Sequence, residues 1–119
     1  MLSINLNLIV ECLRELSDQG LQRELWLSSG SDRVSSFVEA VEQLFTDSGL
    51  SDPLRKRTTG LGNEIEELLF HLEKRIDLVD SRRPPIQIIE DKQMNEVRKM
   101  AEEALNAIED HQKKNKWKK

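Results

Sequence analysis

The stretch most suggestive of metal or phosphate chemistry is residues 44–54, LFTDSGLSDPL, which places two aspartates and three small polar residues around a glycine. A Ca²⁺ loop of the EF-hand type needs its glycine at the sixth position and a glutamate at the twelfth, and this stretch offers neither. Gly49 instead follows an apolar pair, where a left-handed residue ends many helices. We therefore predict a helix end at Gly49 and a new helix capped by Ser51 or Asp52, with Pro53 at its first position.

The two histidines and the single cysteine are further candidates for metal binding or nucleophilic catalysis. Glu67 and His71 are four residues apart and share a helix face, but two ligands do not make a metal site. Neither His71 nor His111 belongs to a Glu-x-x-His or HExxH motif. Cys12 lies beside an apolar stripe with no base nearby in the sequence, although a thiol nucleophile needs one. The sequence thus predicts no metal ligand, no cofactor and no catalytic residue.

A glycine pair before a helix could also hold a phosphate group. Gly60 and Gly62 stand in this position, but Ile65 occupies the place of the third glycine in GxGxxG, and no GK[ST] follows. A lone GxG is a weak signal. We interpret it as the entry to a helix.

Helices are the elements that the apolar spacing predicts around these residues. Apolar side chains recur at three- and four-residue intervals, which is typical of amphipathic helices. Ser36 with Glu39, and Asn63 with Glu66, match the capping-box pattern of a helix start. Residues 4–8 also show the alternation of a short strand. The predicted helices are residues 5–17, 21–27, 36–47, 63–80 and a last helix opened by Asp91.

The predicted fold class is all-α, a small helical bundle of four or five helices. The stretch SRRPP ends the helix over residues 63–80, and we expect Ile86, Ile88 and Ile89 to follow in an extended segment against the core. Two long helices joined by about ten residues favour a long antiparallel C-terminal helix pair.

Length and composition limit the domain organisation. At 119 residues, the chain can form one hydrophobic core but hardly two. Its 37% hydrophobic and 34% charged residues, with tyrosine absent, favour helices over a β-sandwich. We predict one helical domain over residues 1–112 and a flexible lysine-rich tail over residues 113–119. The N-terminus has neither the basic region of a signal peptide nor the apolar run of a membrane span, which predicts a cytoplasmic protein.

The charge is distributed unevenly along the chain. Residues 1–52 carry nine acidic residues and three arginines, a net charge of −6. The whole chain has a net charge of −4, and five lysines lie within its last seven residues. Without those lysines the remainder would stand at −9. A body this acidic repels nucleic acid and favours basic partners.

The N-terminal half contains the candidate binding residues. Glu39 and Glu42 lie away from the apolar stripe of their helix, Asp32 precedes that helix and Asp47 follows it. Trp26 stands before a serine- and glycine-rich loop. An aromatic anchor amid acids is typical of a surface that binds a basic protein. The alternative is that Trp26 is a core residue and the acids only keep the chain in solution. The predicted partner-binding residues are Trp26, Asp32, Glu39, Glu42 and Asp47.

Three functions are compatible with the sequence. The first is a non-catalytic cytoplasmic protein that binds a basic protein, with no nucleic acid and no membrane as partner; homodimerisation stays open. As a class only, small acidic helical proteins resemble the immunity proteins and antitoxins with which bacteria neutralise basic toxic enzymes. The second is an enzyme or ligand-binding domain in which Glu67 and His71 converge with groups of the first helix. The third is a DNA-binding regulator that uses a helix-turn-helix over residues 36–57, with Arg55, Lys56 and Arg57 at the DNA.

Overall fold

The computed structural model describes residues 4–27 and 36–117, with side chains as far as Lys114. Within this part of the chain all regular structure is helical, which confirms the all-α class, but seven α-helices and a π-helical segment replace the predicted four or five helices. The elements are α1 (Leu6–Ser17), α2 (Gln19–Leu27), α3 (Phe37–Glu42), the π segment (Gln43–Asp47), α4 (Ser51–Lys56), α5 (Asn63–Ile76), α6 (Pro85–Ile89) and α7 (Lys92–Trp117).

The first two helices are short and consecutive. The Asn5 side chain caps α1 by accepting a 3.1 Å hydrogen bond from the backbone N–H of Leu8, so the strand alternative for residues 4–8 is wrong. Asp18 separates the helices, and its carboxylate accepts a 3.1 Å hydrogen bond from the N–H of Leu21 in the first turn of α2. Each turn is thus closed locally by a polar side chain.

The long helix α7 packs along both α1 and α5, and α2 packs against α6. The apolar residues of α7 recur at the spacing of one helix face, and the side chains on that face are fully buried. Arg75 near the end of α5 donates a 3.4 Å hydrogen bond to Gln93 near the start of α7. The antiparallel direction of this pair stays a prediction. The fully buried inner residues of α7 are Met94, Val97, Ala101, Ala104 and Ile108.

The helix predicted over residues 36–47 starts as expected and then changes type. The Ser36 hydroxyl accepts a 3.1 Å hydrogen bond from the N–H of Glu39, which confirms the cap. After Glu42 the turns widen, and the N–H of Ser48 reaches the carbonyl of Gln43 at 3.0 Å. The Ser48 carbonyl accepts a 2.7 Å hydrogen bond from the N–H of Asn5, which ties the end of the π segment to the start of α1.

Gly49 ends this helix with a φ of 79°, the left-handed conformation predicted for it. The next helix begins differently from the prediction. Its N-terminal residue is Ser51, Leu50 precedes it without a side-chain cap, and Pro53 is the third residue rather than the first. Leu50 is fully buried, and its N–H donates to the Ser48 hydroxyl at 3.2 Å. The Ser48 hydroxyl therefore binds the residue that precedes α4, and the predicted cap by Ser51 or Asp52 is wrong.

The predicted capping box at the start of α5 is wrong. Gly62, with a φ of 99°, precedes the helix and provides no side-chain cap. The Glu66 carboxylate is buried and accepts hydrogen bonds from Thr59, at 3.1 Å from its N–H and 2.6 Å from its hydroxyl. Glu66 thus holds the preceding loop rather than the helix end.

The segment before α7 is also helical rather than extended. Pro85 is the first residue of α6 and Pro84 precedes it as the N-cap residue. The fixed φ of proline suits the first turn of a helix. Ile88 and Ile89 of α6 are buried, as expected. Asp91 then opens α7 as predicted, since its carboxylate accepts a 2.7 Å hydrogen bond from the N–H of Gln93. The pKa of Asp91 is lowered mainly by this hydrogen bond and next by the hydrogen bond from Arg83.

The helix α7 continues to Trp117, into the stretch predicted to be a tail. The domain limits at residues 112 and 113 stay a prediction. Of the helices that the structure describes, none combines the length and apolar character needed to cross a bilayer.

Candidate functional site

Trp26 is a core residue in this structure. Only 6% of its surface is exposed, and its indole N–H donates a 2.7 Å hydrogen bond to the Glu15 carboxylate. Its ring meets that of Phe37 in a T-shaped arrangement with 5.9 Å between centroids. Burial and a satisfied N–H are typical of a packed tryptophan. The burial therefore supports the alternative in which Trp26 is core, and it does not project as an exposed anchor.

Packing of α1 against α3 and the π segment brings carboxylates from both sides together. The Cys12 thiol on α1 lies 3.9 Å from the side-chain oxygen of Gln43. Glu39 and Asp47 are each four residues from Gln43 and so lie on the same side of their helical segment. Both carboxylates are exposed, as is that of Glu42. We call Glu11, Glu15, Glu39, Glu42 and Asp47 the acidic face.

Three carboxylates of the acidic face act on the thiol of Cys12. Burial first, and then the negative charges of Glu15, Glu11 and Asp47 in that order, raise the pKa of Cys12 to about 12. Glu11 and Glu15 of α1 and Asp47 of the π segment therefore lie close enough in space to act on the same thiol. A thiol with so high a pKa is protonated at neutral pH and is a poor nucleophile.

Of the predicted binding residues, Glu39, Glu42 and Asp47 belong to the acidic face, whereas Asp32 lies outside the described residues. The sequence analysis missed the two α1 carboxylates. Glu11 and Glu15 are four residues apart and flank the apolar stripe of α1, a spacing that could have placed them on one helix face.

Three cations in the described N-terminal segments have carboxylate partners of their own. Residues 4–27 and 36–56 contain four cationic side chains, and three of them pair with carboxylates outside the acidic face. The distances are 3.3 Å for Arg14–Glu109, 3.7 Å for Arg23–Glu90 and 3.1 Å for Lys56–Asp52. The fourth cation, Arg55, lies near Glu73. Burial and then Asp77 raise the pKa of Glu73, and the positive charge of Arg55 opposes this shift.

A small cleft of about 100 Å³ lies beside the acidic face. Val38 is part of its lining and is 43% exposed. Val38 and Glu42 are four residues apart, so the cleft and the acidic face meet on one side of α3. The cleft is lined by Trp26, Ser36, Phe37, Val38, Ser81, Arg83, Pro85 and Ile88.

No protein-family model, curated protein sequence or solved structure matches this chain.

Glu67 and His71, which were considered for an active site, lie on the surface. Glu67 accepts from Arg57 at 2.9 Å and lies 3.3 Å from His71, whose side chain is 58% exposed. The guanidinium of Arg57 also stacks over Phe70, 5.1 Å from the ring centroid. In residues 4–27 and 36–114, no group of three or more histidine, cysteine or acidic side chains could hold a metal ion. Glu67 and His71 therefore form a surface pair rather than the wall of a buried polar cavity.

A larger cleft of about 290 Å³ lies between the start of α5 and the end of α7. Its lining mixes the carboxylates of Glu64 and Asp110 with the basic side chains of His111 and Lys114. Charges of both signs at one site favour neither an anion nor a cation.

Proposed function

We propose that this chain is a non-catalytic cytoplasmic protein-binding module whose acidic face binds a basic protein. The observation that carries the proposal is the convergence of Glu11 and Glu15 of α1 with Asp47 of the π segment around Cys12, beside the exposed carboxylates of Glu39 and Glu42. Glu15, Glu11 and Asp47 raise the pKa of Cys12, although they belong to segments more than thirty residues apart. A small acidic protein of this kind would act as immunity proteins and antitoxins do, by covering a basic surface of its target.

The physical role of such a face is recognition and steering. Exposed carboxylates attract a positively charged partner over about 8–10 Å at physiological salt and raise the association rate. The exposed carboxylates of the face, those of Glu11, Glu39, Glu42 and Asp47, stay hydrated in the unbound chain, so the fold loses little by carrying them. Affinity then requires further contacts in a desolvated centre.

The two other functions draw less support. Arg57 and Lys56 pair with carboxylates and Arg55 lies near Glu73, so the basic stripe expected of a DNA-binding surface is neutralised locally. The Glu67–His71 pair is exposed, whereas perturbed groups in a dry pocket are typical of an active site. The contact between Arg75 near the end of α5 and Gln93 near the start of α7 supports an antiparallel arrangement of these two helices.

The proposal is tested by affinity purification with the tagged chain from its native cell. The double variant Glu39→Lys/Glu42→Lys should fail to retain a basic protein that the unmodified chain retains. The control Glu102→Lys/Glu103→Lys makes the same change of net charge at two exposed positions of α7. The control should retain the partner. Equal recovery with both variants would contradict the acidic face as the binding surface.

A further inference from the structure

We infer that the cleft beside the acidic face receives one apolar side chain of the basic partner, from a segment in which that side chain is flanked by arginine or lysine. The inference rests on the proposed function and specifies the contact that would provide affinity beyond charge. Its occupant follows from the size of the cleft, the chemistry of its lining and the charge beside it.

The size of the cleft matches a single side chain. Sites for drug-sized ligands have volumes of roughly 300–1,000 Å³. A cavity of about 150 Å³ holds one benzene molecule. At about 100 Å³, the cleft has room for one aliphatic side chain of moderate size, such as leucine.

The lining leaves mainly apolar surface for an occupant. Trp26 and Phe37 are buried and pack edge to face, and the apolar residues Val38, Pro85 and Ile88 line the cleft with them. Two of the three polar lining residues, Ser36 and Arg83, are already engaged. Ser36 caps α3, and the guanidinium of Arg83 donates to the Asp91 carboxylate. Aromatic pockets of this kind are where interfaces concentrate binding energy.

The charge beside the cleft selects a basic partner. Glu42 lies one turn from Val38 on the same side of α3, and Glu39 follows Val38 directly. A side chain inserted at Val38 therefore brings its neighbours in the partner chain close to two carboxylates. A second copy of this chain would bring its own net charge of −4 against them and be repelled.

Two synthetic peptides test the contact. One has leucine between two arginines on each side, and the other has alanine in place of leucine. In the Trp117→Phe variant Trp26 is the only tryptophan, so its fluorescence reports occupation of the cleft. We expect the leucine peptide to bind about tenfold more tightly or better, because it buries more apolar surface. Both affinities should fall with added salt.

Variants of residues that line the cleft test whether the preference for the leucine peptide arises there. Ser81→Phe should fill the cleft and Val38→Ser should weaken its rim, and both positions are exposed enough to spare the fold. Each variant should bind both peptides with the affinity of the alanine peptide. The control Leu78→Ser changes an apolar residue that is 60% exposed and outside the lining, and it should keep the preference. A leucine preference that survives in Ser81→Phe and Val38→Ser would overturn the inference.

The outcomes separate the two proposals. If both peptides bind equally and with salt dependence, the acidic face is supported and the cleft inference fails. If neither peptide binds, charge recognition itself fails. A concentration-dependent dimer that Val38→Ser abolishes in analytical ultracentrifugation would make a second copy the occupant and would also overturn the inference.

Discussion

The Glu15 carboxylate on α1 accepts a 2.7 Å hydrogen bond from the indole N–H of Trp26 on α2. The bond satisfies the one polar atom of the Trp26 side chain, which lets the ring pack against Phe37. The same carboxylate raises the pKa of Cys12. One residue thus holds the wall of the cleft and contributes to the acidic face.

Trp26→Ala should destabilise the fold by about 3–5 kcal/mol, because truncating a buried tryptophan leaves a cavity. Leu27→Ala is the matched control, since Leu27 follows in the same helix and is 42% exposed. It should cost about 0.5 kcal/mol or less. Urea denaturation of the two variants measures the difference. Equal small losses would mean that Trp26 does not support the core.

Gln22→Leu should cost about 1–3 kcal/mol, since it removes a buried side-chain donor to two backbone carbonyls and one of the acceptors of Arg98. The Gln22 amide is fully buried, donates to the carbonyls of Glu15 and Leu16 at 3.1 and 2.9 Å, and accepts from Arg98 at 2.9 Å. Burial lowers the pKa of Arg98, as expected of a cation held in this position.

A double-mutant cycle isolates the Gln22–Arg98 contact. The loss in Gln22→Leu/Arg98→Met should be smaller than the sum of the two single losses, because each single change already breaks the same bond. Strict additivity of the unfolding free energies would show that the two side chains are not coupled.

Gly49→Val should destabilise the chain by about 1–3 kcal/mol, because a β-branched residue is strained at the φ of 79° that Gly49 adopts. Gly49→Asn should cost less, since asparagine tolerates the left-handed region. The order of the urea midpoints, glycine above asparagine above valine, checks the backbone origin of the effect. Valine equal to asparagine would indicate a different helix end.

Stability should fall as the pH rises above about 9. Burial first, and then the nearby carboxylates, raise the pKa of Cys12 from 9.0 to about 12 in the folded chain, so between these values the unfolded chain holds fewer protons than the folded chain. The contribution is fully present below pH 9 and decreases by at most about 1.4 kcal/mol per pH unit. No tyrosine titrates in this range. Melting curves from pH 8 to 10.5 should show a steeper decline for the unmodified chain than for Cys12→Ala. Parallel declines would contradict a shifted thiol.

Several elements were predictable because their causes are local. The apolar stripe of α7, the Ser36 cap and the left-handed Gly49 depend on residues within four positions of one another. The exposure of Glu39, Glu42 and Asp47 was predictable for the same reason, since these residues lie off the apolar stripe of their own helix.

Other features were decided by contacts between distant segments. The π segment is joined through Ser48 to Asn5, and Glu66 turns to Thr59 rather than to its own helix end. Glu66 has two competing partners within reach of its side chain, and a capping pattern does not say which one the packed chain will offer.

The sequence by itself determined the helical class, the main helix starts and the excess of negative charge in the N-terminal half, because periodicity, capping and charge are properties of neighbouring residues. Only the tertiary structure decided that Trp26 lies in the core and that Glu11 and Glu15 join Asp47 around Cys12. The physical reason is that burial and electrostatic fields depend on distance in space, and packing of α1 against the π segment sets those distances across more than thirty residues of chain.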